Sequence, residues 1–330
     1  MTFQSKRFHS ALKSFSIFAA LAILAAPAFG QLKGSDIPGL TGLQAGTQSP
    51  PGIYVGNLDY YYASSTIKND KGNALPKNPN VNVFLDGIAF NWATNYKLLG
   101  ANIGGAALLT FAQNRLDGDL LGSSNTGFGF SDTYLQPINL GWKLKRADLI
   151  AGYGIYFPTG SFTPGADDNK GLGIYTHELS FGSTVYLDKQ KSWNASGLAA
   201  YGFATQKRGI DETPGQIMTI QGGLGKTFLK KTSFPIPTIM NAGLIGYTQF
   251  KTTTDSGADL PIIVRGDKDR VFALGPEFNI TWPKQRLVLT ARYFDEFAAR
   301  DRTQGQGFVI SLAYVAKSLV HMPAPQPKAP

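Results

Sequence analysis

The sequence predicts an all-β fold: a transmembrane antiparallel β-barrel of about 12 strands, preceded by a cleaved signal peptide. Three observations carry this. Strand-like stretches recur between Ile53 and Val315, their connections alternate long and short, and an export leader stands in front of them.

The leader comes first. Lys6, Arg7 and Lys13 give a positive start, Phe15 to Ala26 is almost wholly apolar, and Ala28-Phe29-Gly30 supplies a small-x-small cleavage pattern. The apolar run is shorter than the roughly 20 residues a helix needs to cross a bilayer. Residues 1–30 are read as the signal peptide, with the mature chain starting at Gln31. In residues 31–50, we read Ser35 to Ser49 as a loose periplasmic leader, with an inward plug or constriction as the alternative. Gly39, Gly42 and Gly46 permit either.

The barrel is expected over residues 51–315, with strands at 52–63, 82–94, 98–112, 131–143, 147–157, 174–187, 193–205, 215–229, 238–250, 270–282, 286–294 and 306–315. Their signature is period-two alternation over about ten residues, the length a tilted strand needs to span a bilayer. Leu149, Ala151, Tyr153, Ile155 and Phe157 share one face, with Asp148, Gly152 and Gly154 on the other. Phe272, Leu274, Phe278, Ile280 and Trp282 likewise oppose Ala273, Gly275, Glu277, Asn279 and Thr281. One face suits lipid and the other water. In the closing strand Phe308, Ile310, Leu312 and Tyr314 alternate with Val309, Ser311 and Ala313.

Tight connections at Asn95-Tyr96-Lys97, Lys143 to Arg146, Asp188 to Ser192 and Pro283-Lys284-Gln285, and a slightly longer one at Lys230 to Pro237, suit the periplasmic side. The stretches 64–81, 113–130, 158–173, 206–214, 251–269 and 295–305 are rich in turn residues and suit extracellular loops. An even strand number then puts both termini in the periplasm. Trp92, Trp142, Trp193 and Trp282 all fall at the short-turn ends, where an interfacial belt belongs, and Tyr60, Tyr62, Phe157, Tyr175 and Phe250 mark the opposite rim. A secreted sandwich has no reason to divide its loops into two length classes.

Composition removes several classes. The chain has no cysteine, which excludes disulfides and thiol chemistry. Taking the leader's three cations from the formal +9 leaves +6, a thin spread that argues against nucleic acid as a partner. A Lys or Arg facing mid-bilayer costs about 2–4 kcal/mol. Accordingly Lys143, Lys145, Arg146, Lys189, Lys191, Lys230, Lys231, Lys284 and Arg286 gather at the turns as a solvated rim.

Gly42-Leu43-Gln44-Ala45-Gly46 is followed by Pro50-Pro51-Gly52-Ile53-Tyr54 and Tyr60-Tyr61-Tyr62. Farther on stand Asp132-Thr133-Tyr134-Leu135-Gln136-Pro137, Leu140-Gly141-Trp142 and Tyr156-Phe157-Pro158-Thr159-Gly160-Ser161-Phe162. Together these resemble the outer-membrane barrel family named for the phenol meta-degradation pathway, found in Gram-negative bacteria. The resemblance implies an outer-membrane channel for aromatic or other poorly water-soluble compounds. It assigns no binding residue. The chain departs from a common barrel pattern by continuing past its last aromatic residue into a tail, 316–330, ending in Pro323-Ala324-Pro325-Gln326-Pro327. Barrel-assembly machinery would then read Tyr314 internally, or the tail would serve as a periplasmic spacer.

By strand parity the inward, candidate lumen-lining residues are Asp59, Asn102, Asp148, Glu178, Ser180, Thr184, Glu277 and Arg292. They either set the selectivity of a narrow passage or pair with one another to fill it. Outer-membrane lipases place a histidine and a serine on one strand face; here His177 and Ser180 are three apart and fall on opposite faces. His9 and His321 lie in the leader and tail, so no catalytic residue, metal site or cofactor is assigned. Gly225-Lys226-Thr227 lacks the earlier glycine of a phosphate loop, since Ile220 stands there. Asp167-Asp168-Asn169 and Arg265-Gly266-Asp267 are read as solvated loop segments, the first with lipopolysaccharide-bound cations as the alternative. The expected partners are the lipid bilayer, lipopolysaccharide, the assembly machinery and a small apolar or aromatic solute. The expected activity is passive uptake rather than catalysis, with a closed structural or surface-interaction barrel as the alternative and a lipid hydrolase as the lesser one.

Overall fold

The computed structural model describes residues 34–75, 79–118, 122–166, 169–232, 237–260 and 268–320. The signal peptide expected over 1–30, Asp167-Asp168, Arg265-Gly266-Asp267 and the tail beyond 320 lie outside the described residues. Twelve long strands follow one another: β1 (Gly52–Ser64), β2 (Asn80–Leu98), β3 (Ala101–Gly118), β4 (Thr133–Lys143), β5 (Ala147–Phe157), β6 (Thr176–Tyr186), β7 (Trp193–Ala204), β8 (Ile217–Lys230), β9 (Thr238–Lys251), β10 (Arg270–Trp282), β11 (Leu287–Arg300) and β12 (Gln306–Ser318). Each pairs antiparallel with the next. β1 also pairs with β12 from Gly52 opposite Ser318 to Ala63 opposite Gln306, which closes the sheet into a barrel.

Short connections follow the even-numbered strands at one end of the barrel, the turn end, and long ones follow the odd-numbered strands at the other, the loop end. The β2–β3 turn sits at Leu99-Gly100 rather than at the expected Asn95-Tyr96-Lys97. Leu99 and Gly100 have φ of 51° and 81°, as a two-residue hairpin matched to strand twist requires. In the β6–β7 turn the Asp188 carboxylate accepts from Trp193 N–H at 2.7 Å and from Ser192, and these bonds, the Trp193 one foremost, hold it below the usual carboxylate range. The loops add short ladders, Ile67–Lys68 against Arg302–Thr303 and Gly122–Asn125 against β3.

The outward face is apolar: Leu179, Phe181, Leu224, Leu244, Leu274, Phe278 and Leu312 are all exposed. A closed barrel leaves no unpaired sheet edge in hydrocarbon, and such an exterior suits lipid. The tyrosine run in β1 is a correction. Tyr60 and Tyr62 are 1% and 3% exposed and point inward, while Tyr61 faces out. Asp59, expected in the lumen, therefore stands on the outward face opposite Asp86, with Asn57 Nδ2 donating to Asp86 Oδ1 at 2.5 Å. Three consecutive tyrosines do not reveal which of them faces in, and a one-residue error in parity turns every neighbour over.

The interior is not uniformly polar, as the alternation implied. Near the loop end Tyr60, Val83, Leu85, Tyr247, Val271, Phe294 and Val309 form one buried cluster with Ile37. Above them Glu296 accepts from Tyr62 at 2.7 Å and Tyr247 at 2.8 Å, and Asp269 pairs with the buried Arg302 at 3.3 Å. Phe294 is wholly buried, its ring lying over Gly307 and Gly39, where an added Cβ would stand 2.0 Å and 2.6 Å from it. Phe294→Ala is expected to cost about 3–5 kcal/mol of unfolding free energy, read from denaturant titration in lipid vesicles.

Candidate functional site: the plugged lumen

Residues 34–49 lie inside the barrel, not in the loose leader expected of them. Ser35 Oγ is 2.7 Å from Thr176 Oγ1 and Gly34 abuts Ile217, both at the loop end. At the turn end Gln48 Nε2 donates to the carbonyls of Asn139 at 2.9 Å and Asn102 at 3.2 Å. The segment thus runs the length of the lumen before Pro50-Pro51 turns it into β1. The segment enters the lumen at the loop end; the amino terminus, expected in the periplasm, lies outside the described residues.

Wall side chains satisfy the backbone of this plug. Gln221 Oε1 accepts from Gly39 N at 3.1 Å and Thr41 N at 3.3 Å. Glu277 Oε2 accepts from Leu43 N at 3.0 Å and from Arg292 Nε at 2.8 Å, while Arg292 donates to the Leu40 carbonyl at 2.7 Å. Thr184 accepts from Gly46 N at 3.2 Å. Asp148 Oδ2 accepts from Thr47 at 3.0 Å, Tyr186 at 2.8 Å and Lys143 at 2.8 Å. A buried backbone group without a partner is costly, and an irregular segment inside a barrel can find partners only on the wall. Gly46 is required by close approach: an added Cβ would stand 2.1 Å from the Ser183 carbonyl carbon.

The plug fills one side of the lumen. On the other, a cavity of about 460 Å³ runs beside it from Trp92 and Ser49 at the turn end to Asp132 and Lys170 at the loop end. Leu58, Val83, Leu85, Leu108 and Ala112 make its aliphatic wall, and Tyr134, Gln136, Tyr156, Glu178 and Ser180 face it as a polar strip. At its mouth Asp132 accepts from Leu172 N at 2.7 Å and Gly160 N at 3.1 Å, tying down the loop after β5. Burial pushes the Asp132 carboxyl up, against the pull of those two N–H groups and Arg208. Thr110 Oγ1 donates to the Asp132 carbonyl beneath.

The expected lumen residues therefore separate. Asp148, Thr184, Glu277 and Arg292 bind the plug. Asn102 contributes its backbone carbonyl to Gln48 and shares the inward face with Gly104, where an added Cβ would meet that same amide. Glu178 and Ser180 line the cavity, and Asp59 is outside the barrel. His177 points outward to Tyr153, 2.7 Å from its hydroxyl, so it and Ser180 occupy opposite faces of β6. Sequence reasoning missed Tyr134, Gln136, Asn139, Tyr156 and Gln221. Tyr156 shares parity with Asp148, and Tyr134 and Gln136 precede the Pro137 break, so the alternation contained the first of these signals.

Two outcomes follow for the plug. Arg292→Ala strands a buried Glu277 and should lower stability by about 3–5 kcal/mol, measured by denaturant titration. Gly46→Ala cannot seat against Ser183 and should give larger single-channel conductance in planar bilayers than the unaltered protein.

The family described as "Putative MetA-pathway of phenol degradation" matches residues 63–312. Among solved structures, an outer membrane channel from Pseudomonas putida F1 is 13% identical with a TM-score of 0.67, over 85% of this chain and 99% of that one. The translocator domain of the autotransporter NalP from Neisseria meningitidis is 11% identical with a TM-score of 0.46, over 94% and 97%. CymD, a monoaromatic hydrocarbon channel, is 10% identical with a TM-score of 0.38, over 83% and 90%. The first likeness shows a shared fold. No curated protein matches the chain by sequence. The closed barrel with its apolar exterior is a protein of the Gram-negative outer membrane. With the match covering most of its length, the chain belongs to the outer-membrane barrel family of the phenol-degradation MetA pathway.

Proposed function

We propose that the protein is a channel for passive uptake of small apolar or aromatic solutes, with the plug narrowing its path. The cavity beside the plug carries this reading. Its volume of about 460 Å³ falls among small-molecule sites, its wall is largely aliphatic, and it extends along the lumen from turn end to loop end. An apolar ring loses little on leaving water for Val83, Leu85 and Leu108, whereas a sugar would leave its hydroxyls without partners there. The family and the channel from Pseudomonas putida F1 support the same reading. In this reading the loop end faces the cell exterior and its lipopolysaccharide. The assembly machinery reads Tyr314, which is exposed on β12 four residues before the strand ends. No catalytic step is assigned, since His177 and Ser180 cannot meet across β6.

The anchored plug favours a second reading, a closed structural barrel. Uptake of a labelled phenolic and a labelled sugar into liposomes holding the mature protein separates the two. Faster phenolic than sugar entry, reduced when Leu108→Trp fills the aliphatic wall, is the expected outcome. Entry no faster than into empty liposomes for both solutes would leave the closed barrel.

A further inference from the structure

The plug is gripped along its whole length, but by different groups in its two halves. Its lower half, from Gly42 to Gln48, is gripped by Glu277 with Arg292, by Thr184, by Asp148 and by the two carbonyls that receive Gln48. Its upper half, Gly34 to Thr41, is held by Gln221 at the Gly39 and Thr41 amides, by Gln249 at the Asp36 carbonyl, by Arg292 at the Leu40 carbonyl, by Thr176 at Ser35 and through Ile37 in the cluster around Phe294. There, Asp36 Oδ2 and Thr41 Oγ1 are buried with no hydrogen-bond partner. Asp36 Oδ1 lies 3.5 Å from the Tyr156 hydroxyl, which is 3.3 Å from Glu178 Oε2, and Tyr134 donates to Glu178 Oε1 at 2.9 Å. One hydroxyl proton on Tyr156 can serve only one of the two carboxylates at a time.

We propose that residues 34–41 form a pH-sensitive flap over the cavity, held down while the plug's Asp36 and the wall's Glu178 share a proton, and released when both ionise. As a control of solute flux, the flap rests on the channel reading above. The groups facing the Asp36 carboxyl are Glu178 from β6, Tyr156 from β5 with Tyr134 behind it, and the uncharged Thr219 from β8, while Gln249 from β9 donates to the Asp36 backbone carbonyl at 3.0 Å. Arg302 reaches Gln249 Oε1 at 3.1 Å, but its charge is paired with Asp269. Among the described residues no cation hydrogen-bonds or ion-pairs with either carboxylate. Two carboxylates bridged by one tyrosine hydroxyl, with no cation paired to either, cannot both ionise without strong repulsion. The seated flap therefore holds one proton more than the released one, so seating is complete at low pH and is lost as pH rises. Gly42, whose carbonyl accepts from Ser196 at 3.0 Å, is the hinge of this proposal, at the boundary between the two halves.

Hydrogen exchange on the mature protein in vesicles tests this directly, comparing about pH 5 with about pH 8 after correction for intrinsic rates. The amides of Gly39 and Thr41 report the flap, and those of Leu43 and Gly46 the fixed half. Protection of the first pair should fall with rising pH, by up to about tenfold for each pH unit over which the proton is lost, while the second pair stays constant. In Asp36→Asn the first pair should stay protected at both pH values, and Glu178→Gln repeats the test if that variant does not fold. Equal protection at both pH values in the unaltered protein, or an equal fall in both variants, overturns the flap. Phenolic flux through the same vesicles separates the two readings. Flux with unchanged protection keeps the channel and removes the flap, and loss of protection without flux keeps the flap and removes the channel.

Discussion

Pairing of β1 with β12 is the contact on which everything else depends. In hydrocarbon an unpaired strand edge would leave a row of peptide groups without partners, so the sheet exists in the membrane only once its first and last strands meet. Closure also divides each strand into a lipid face and a lumen face. It thereby brings residues as distant in sequence as Leu43 and Glu277, or Leu40 and Arg292, into one small interior.

That interior is filled by residues 34–49, the segment just before β1. Residues 34–49 have no regular hydrogen-bond ladder, so their peptide groups look to side chains of the wall. The inward polar residues of β5, β6, β8, β10 and β11 are in effect a mould for the plug. Electrostatics and packing divide the work. An ion pair and carboxylate hub hold the lower plug, and an aromatic cluster around Phe294 holds Ile37 above. What remains between the plug and β1–β7 is the cavity, apolar because the strands there carry Leu58, Val83, Leu85 and Leu108 inward.

Much of the fold was legible in the chain. Twelve alternating stretches, two loop classes and four tryptophans at the turn ends correspond to the observed strands within a few residues, because bilayer thickness dictates strand length and period two dictates the faces. Asp148, Glu178, Ser180, Thr184, Glu277 and Arg292 follow from the same parity. It failed at Asp59, where Tyr60-Tyr61-Tyr62 offers aromatic side chains to both faces and only packing against Phe294 determines which tyrosine enters. The β2–β3 turn was placed too early for a similar local reason, since nothing in Leu99 announces the positive φ that it adopts.

The sequence by itself determined that the chain crosses a membrane as a closed barrel, since alternation and loop length are local properties that survive without knowledge of any contact. The tertiary structure alone decided what the lumen residues do. Glycines at 39, 42 and 46 suit a free leader as well as a plug, and the choice rests on whether carboxylate, amide, hydroxyl and guanidinium groups from six different strands converge on the plug's peptide groups. That convergence is a property of closure, and no stretch of sequence contains it.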